Sequence, residues 1–263
     1  MNNLVNYKNS SPYKFCFLMV LYAIGASSLP IIPEQFFNIS SLSIRLIIFF
    51  VLKVLTIIFP IYIIKSIGFI NQFKLNIKNF LKATIILFPF IVVCVNNIPL
   101  VAILTGGASF EKVGITYLYY ILVCLTIAVF EELIFRGIIY PIIKEKKQDF
   151  WAIIYSSLIF SVAHLVNALS LNIGAMLMQL GYSFLIGAMC AVAYNYSSSI
   201  YFAIILHFVY NFGGLMTNYN LVSGNIWNLP SIVVTAILAV ITVIYTIIVY
   251  FSRIKDESSS SKG

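Results

Sequence analysis

Glu131, Glu132 and Arg136 sit inside the apolar run YYILVCLTIAVFEELIFRGIIYPII, a setting where ionisable side chains are costly and therefore rare. Two further apolar runs hold the only two histidines of the chain: FSVAH runs from Phe160 to His164, and HFVYN runs from His207 to Asn211. A carboxylate near an imidazole can take a proton from water, and an imidazole beside a carboxamide can donate to a developing oxyanion. Blander uses exist for each residue. Glu132 and Arg136, at i and i+4 on one helical face, read first as a structural ion pair. A lone histidine in a membrane helix commonly makes an interhelical hydrogen bond. Convergence favours chemistry. Counted along helices, Glu131 lies roughly 20 Å from Lys144, His164 roughly 22 Å from Asp149, and His207 and Asn211 about 12–20 Å from the turn at 196–199. Three separate helices thus bring a carboxylate, two imidazoles and a carboxamide to similar depth, which predicts one polar chamber reached from the inner side.

The elements that must position these groups follow from composition. Of the 263 residues, 61% are hydrophobic and 9% charged, with a mean hydropathy of +1.01. A soluble domain is about 45–50% apolar and about 25% charged, so a water-soluble globule, a disordered chain, a collagen-like repeat and a disulfide scaffold are excluded. The expected fold is an all-α polytopic membrane helix bundle of about eight transmembrane helices. Apolar runs fall at 14–33, 43–65, 81–105, 115–139, 151–168, 175–194, 199–217 and 230–252, with interruptions around Pro60 and Pro89. They form a single transmembrane domain over residues 1–254, followed by a polar tail, 255–263, expected to be disordered. The first run is followed by Pro30, Pro33 and Glu34 rather than a small-residue cleavage site, and reads as a retained span.

Net charge is +8. The basic residues mark cytoplasmic loops rather than a nucleic-acid partner. With both termini cytoplasmic, the inner segments carry Lys8, Lys14, Lys65, Lys74, Lys78, Lys82, Arg136, Lys144, Lys146, Lys147, Arg253, Lys255 and Lys262. Lys112 and the boundary residue Arg45 fall outside, and Lys53 lies within the second span. Residues 71–82 place Lys74, Lys78 and Lys82 at i, i+4 and i+8 opposite Phe73, Ile77 and Phe80, as in an interfacial helix. Cys16, Cys94, Cys124 and Cys190 show no metal-ligand spacing and read as small buried hydrophobes. The pairs at 106–107 and 213–214 read as glycines at close helix contacts or loop hinges.

At the polar positions the sequence resembles a known family, the CAAX protease and bacteriocin-processing family of intramembrane proteases, also called Abi, which includes type II CAAX prenyl endopeptidases. Its signatures EExxxR, FxxxH and HxxxN read here as Glu131-Glu132-Leu-Ile-Phe-Arg136, Phe160-Ser-Val-Ala-His164 and His207-Phe-Val-Tyr-Asn211, in order, within about 125–215. The resemblance implies a bundle of about eight helices and peptide-bond hydrolysis. It implies Glu131 as the catalytic carboxylate, His164 as a residue that positions or activates water, and His207 with Asn211 as the oxyanion pair. Glu132, Arg136 and Phe160 would be supporting residues. Two mechanisms stay open: metal-free activation of water by Glu131 and His164, or a zinc ion assembled across helices on Glu131, His164 and His207. The expected substrate is a peptide or membrane-anchored protein in a lipid bilayer, and the composition, rich in Ile, Asn and Lys, hints at a bacterial cell membrane. A non-catalytic immunity or scaffold protein is the alternative. A transporter is disfavoured because few intramembrane polar residues lie toward the outer side.

Overall fold

The computed structural model describes residues 2–30, 32–33, 37, 39–75, 77–112, 114–169, 172–216 and 219–260. Its helices are α1 (Asn2–Ser10), α2 (Pro12–Ser28), α3 (Leu42–Ser66), α4 (Ile77–Ile86), α5 (Phe88–Asn96), α6 (Leu100–Leu104), α7 (Thr116–Ile134), α8 (Tyr140–Lys144), α9 (Asp149–Ala163), α10 (Ile173–Ser197), α11 (Ile200–Gly214) and α12 (Leu229–Ser260). A π turn, Phe135–Ile139, joins α7 to α8 in one continuous span, Thr116–Lys144. Local signals set the boundaries. The Ser41 and Asn172 side chains accept from the backbone N–H groups of Ile44 and Ala175 at the starts of α3 and α10, satisfying donors that a helix start leaves open. Ser198, left-handed at φ 54°, closes α10.

The all-α membrane bundle is what the structure shows, with one small addition: strands β1 (Ala108–Phe110) and β2 (Val222–Gly224) pair antiparallel, Ser109 opposite Ser223. Among the described residues, five helices are long and apolar enough to cross a bilayer, six if the bent pair α4–α5 is one span. Each of the eight apolar runs holds helix, but α2 has 17 residues and α11 has 15. At about 1.5 Å per residue these fall short of a hydrocarbon core about 30 Å thick. Pro60 is carried inside α3. Pro89 instead coincides with a 66° bend between α4 and α5, since the residue before a proline resists helical geometry and the ring removes a hydrogen bond. The interfacial helix expected over 71–82 is a 3₁₀ turn, Ile70–Phe73, followed by α4 from Ile77. Helix α12 runs on to Ser260, through much of the tail expected to be disordered; residues 261–263 lie outside the described residues.

The span containing α7 is the axis of the bundle: 56% of its most apolar window is buried inside the protein, against 11% for α12. Helix α7 packs against α3 and α11, and α10 packs against both α9 and α11. Phe130, Ile138, Phe160, Met189 and Leu206 belong to the main core they enclose. Ile58, Ile61, Ile237 and Ile244 are exposed on the outside, an arrangement that water would penalise and lipid does not.

Candidate active site

Neighbouring residues of a helix point about 100° apart, so Glu131 and Glu132 face different surroundings. Glu132 is fully buried. Its Oε1 accepts from Arg136 Nη1 at 2.9 Å and lies 2.7 Å from His207 Nδ1. The second arm of the guanidinium, Nη2, donates to the Gly187 carbonyl at 2.7 Å, tying α7 and the π turn to α10. A Cβ at position 187 would lie 3.2 Å from Arg136 Nη2 and from Ser157 Cα, so a glycine lets that carbonyl come close.

Glu131 turns the other way. It is partly exposed to a cavity of about 240 Å³, and its Oε2 lies 3.5 Å from His207 Nε2. The imidazole of His207 therefore stands between the two carboxylates, one ring nitrogen toward each. His164 and Asn211 line the same cavity as Glu131. His164 is held at the end of α9 by its Nδ1, 2.9 Å from the Phe160 carbonyl oxygen. With its proton on Nδ1, the ring donates to that carbonyl and leaves Nε2 as its acceptor.

Phe160 organises the cluster. Its ring meets His164, His207 and Phe135 edge-on, with centroids 4.7, 5.7 and 4.9 Å away, and lies 4.7 Å from the Arg136 guanidinium carbon. The aromatic face favours the cation, and the ring blocks rotation of both imidazoles. Every side chain that the sequence singles out, namely Glu131, Glu132, Arg136, Phe160, His164, His207 and Asn211, belongs to this one constellation.

The cavity does not lie where the charge pattern placed it. Its lining includes Ser27 at the end of α2, Val166 beyond α9, Gln179 early in α10 and Leu215 beyond α11. These positions mark the bundle end opposite the cluster formed by the Lys8–Glu145 and Lys144–Asp149 pairs. The chamber expected to open at the basic, inner end therefore extends toward the other one. Depth counted along single helices cannot reveal this, because it does not say on which side of a side chain the neighbouring helices part.

Two contributors escape the motif reading. Tyr120, about three helical turns before Glu131 on α7, is fully buried and donates its hydroxyl to the carbonyls of Asn211 and Phe212, which fixes the end of α11. Lys53, in the middle of α3, is 1% exposed, and its ammonium donates to Ser27 Oγ at 3.1 Å and stands 4.0 Å above the Phe130 ring. An isolated cation within an apolar span was a usable signal for Lys53; nothing in the sequence marks Tyr120. Among the described residues, no three His, Cys, Asp or Glu side chains are grouped so as to hold a metal ion. His207 already directs Nδ1 at Glu132, and His164 directs Nδ1 at a backbone carbonyl.

Residues 113–213, which contain this whole constellation apart from Ser27 and Lys53, match the family model of the type II CAAX prenyl endopeptidase Rce1-like proteins. Over this stretch the chain is similar to type II CAAX prenyl endopeptidases, and its long apolar helices make it an integral multi-pass membrane protein. No curated protein and no solved structure matches it.

Proposed function

We propose that the protein hydrolyses a peptide bond in a membrane-associated peptide or protein with water activated by Glu131 and His164. The observation that carries this reading is the shared cavity of Glu131, His164 and Asn211, with His207 Nε2 at 3.5 Å from Glu131. Glu131 takes a proton from water as the water oxygen attacks the scissile carbonyl carbon. The carbonyl oxygen becomes an oxyanion, which accepts from Asn211 Nδ2 and from His207 Nε2 when protonated. Collapse breaks the C–N bond, and the proton held by Glu131 passes to the leaving nitrogen, giving a carboxylic acid and an amine. Glu132 and Arg136 orient His207 from behind, in the manner of a carboxylate that fixes a catalytic imidazole. A positioned general base contributes roughly 10²–10⁴-fold to such a step.

The route proposed uses Glu131 as the base and needs no metal. The experiment compares the membrane peptides of cells carrying wild type and Glu131→Gln at equal protein levels. The substrate is expected to accumulate unprocessed in the variant, with the rate down roughly 10²–10⁴-fold, while a strong chelator leaves wild-type processing unchanged. Processing that survives Glu131→Gln rejects the hydrolytic reading. Loss on chelation, restored by zinc, rejects the metal-free route.

A further inference from the structure

Lys53 is a charge in the middle of a 25-residue apolar helix, out of reach of water. A cation there is expensive, and such residues commonly serve a function. Two of its contacts lead to the candidate active site. Its Nζ donates to Ser27 Oγ, and Ser27 lines the cavity together with Glu131, His164 and Asn211. The same Nζ lies over the ring of Phe130, the residue immediately before Glu131.

The charge inventory points the same way. Glu132 is matched by Arg136 at 2.9 Å. Glu131 has no guanidinium or ammonium in direct contact among the described residues; His207 Nε2 at 3.5 Å is its ion-pair partner. Lys53 has the converse arrangement: among the described residues it meets a hydroxyl and aromatic rings, not a carboxylate. In a low-dielectric interior two such charges act on each other over distances that water would screen.

We propose that Lys53 is a positioning residue for the hydrolytic reaction: its buried ammonium, fixed between Ser27 Oγ and the Phe130 ring, is the countercharge of Glu131 and aims the Ser27 hydroxyl into the cavity. Because Ser27 Oγ accepts from the ammonium, its own proton is free to donate to an oxygen in the cavity, either the attacking water or a substrate carbonyl. The proposal rests on the hydrolytic reading of Glu131. It differs from a purely structural tie between α2 and α3, for which the charge itself would be dispensable.

The test uses the full chain in detergent and four proteins: wild type, Lys53→Met, Glu131→Gln and the double variant. Methionine keeps an unbranched apolar side chain one atom shorter than lysine and removes the charge. The substrate is a peptide whose processing is lost in Glu131→Gln membranes. Lys53→Met is expected to lower kcat by about 10–100-fold with KM within about twofold, the signature of an interaction felt in the transition state. In thermal unfolding, the shift of the double variant should differ clearly from the sum of the two single shifts, since interacting charges are not additive. A Lys53→Met kcat within about twofold of wild type, or thermal shifts that simply add, overturns the proposal. Processing retained in Glu131→Gln would instead remove the hydrolytic reading, and the unfolding cycle would still report whether the two charges are coupled.

Discussion

At the scale of the residue, Glu131 and Glu132 show how one helical step separates two roles. Glu132 spends its Oε1 on Arg136 and His207 in a dry interior, whereas Glu131 meets the cavity. Removing one partner of a buried ion pair leaves an uncompensated charge and costs about 3–5 kcal/mol, so variants of Arg136 report on folding before they report on catalysis. Asn211 is a cleaner probe. It lines the cavity while its backbone is held by Tyr120. Asn211→Ala is expected to lower kcat by roughly 10²–10³-fold, as for loss of one oxyanion donor, with KM and thermal stability nearly unchanged. Steady-state kinetics on the same peptide substrate check it, and an unaltered kcat would remove Asn211 from the oxyanion site.

At the scale of the element, the π turn at Phe135–Ile139 lies where α7 meets the motif arginine. Its Gly137 carbonyl accepts from Gln72 Nε2 at 3.1 Å, and a Cβ at position 137 would press on Ile64 of α3 at 2.8 Å. Among the described glycines the tightest site is Gly213, where a Cβ would come within 2.2 Å of the Ile98 backbone nitrogen. Asn97 Nδ2 donates to the Tyr210 carbonyl at 2.7 Å across the same contact. Here the close-contact reading of the glycine pair holds. Gly213→Ala must push α11 from the turn after α5, at a cost of about 1–3 kcal/mol. Because Asn211 and His207 ride on α11, thermal unfolding should show a lowered midpoint and the kinetic assay a lowered kcat; an unchanged midpoint would contradict the packing.

At the scale of the whole molecule, the basic residues and the cavity sit at opposite ends of the bundle. If the basic end is cytoplasmic, as the charge bias demands, then residues 111–112 are outside and residues 145–147 inside. All four native cysteines are buried, so they form a quiet background for labelling. A membrane-impermeant maleimide should label Lys112→Cys in intact cells, and Lys146→Cys only after the membrane is opened. The reverse pattern would invert the topology and put the cavity toward the cytoplasm.

The sequence by itself determined the solvent and the reactants. With few charges and long apolar runs, the chain had no option but helices in lipid, and polar groups too costly to be incidental stood out at Glu131, Glu132, Arg136, His164, His207 and Asn211. Helical periodicity also fixed that Glu132 and Arg136 share a face. Only the tertiary structure decided that His207 stands between Glu131 and Glu132, that Phe160 braces both imidazoles, that the cavity extends away from the basic end, and that Lys53 and Tyr120 reach the site. Periodicity orients a side chain on its own helix, whereas the partner it meets depends on which helices pack together and where glycines let them approach.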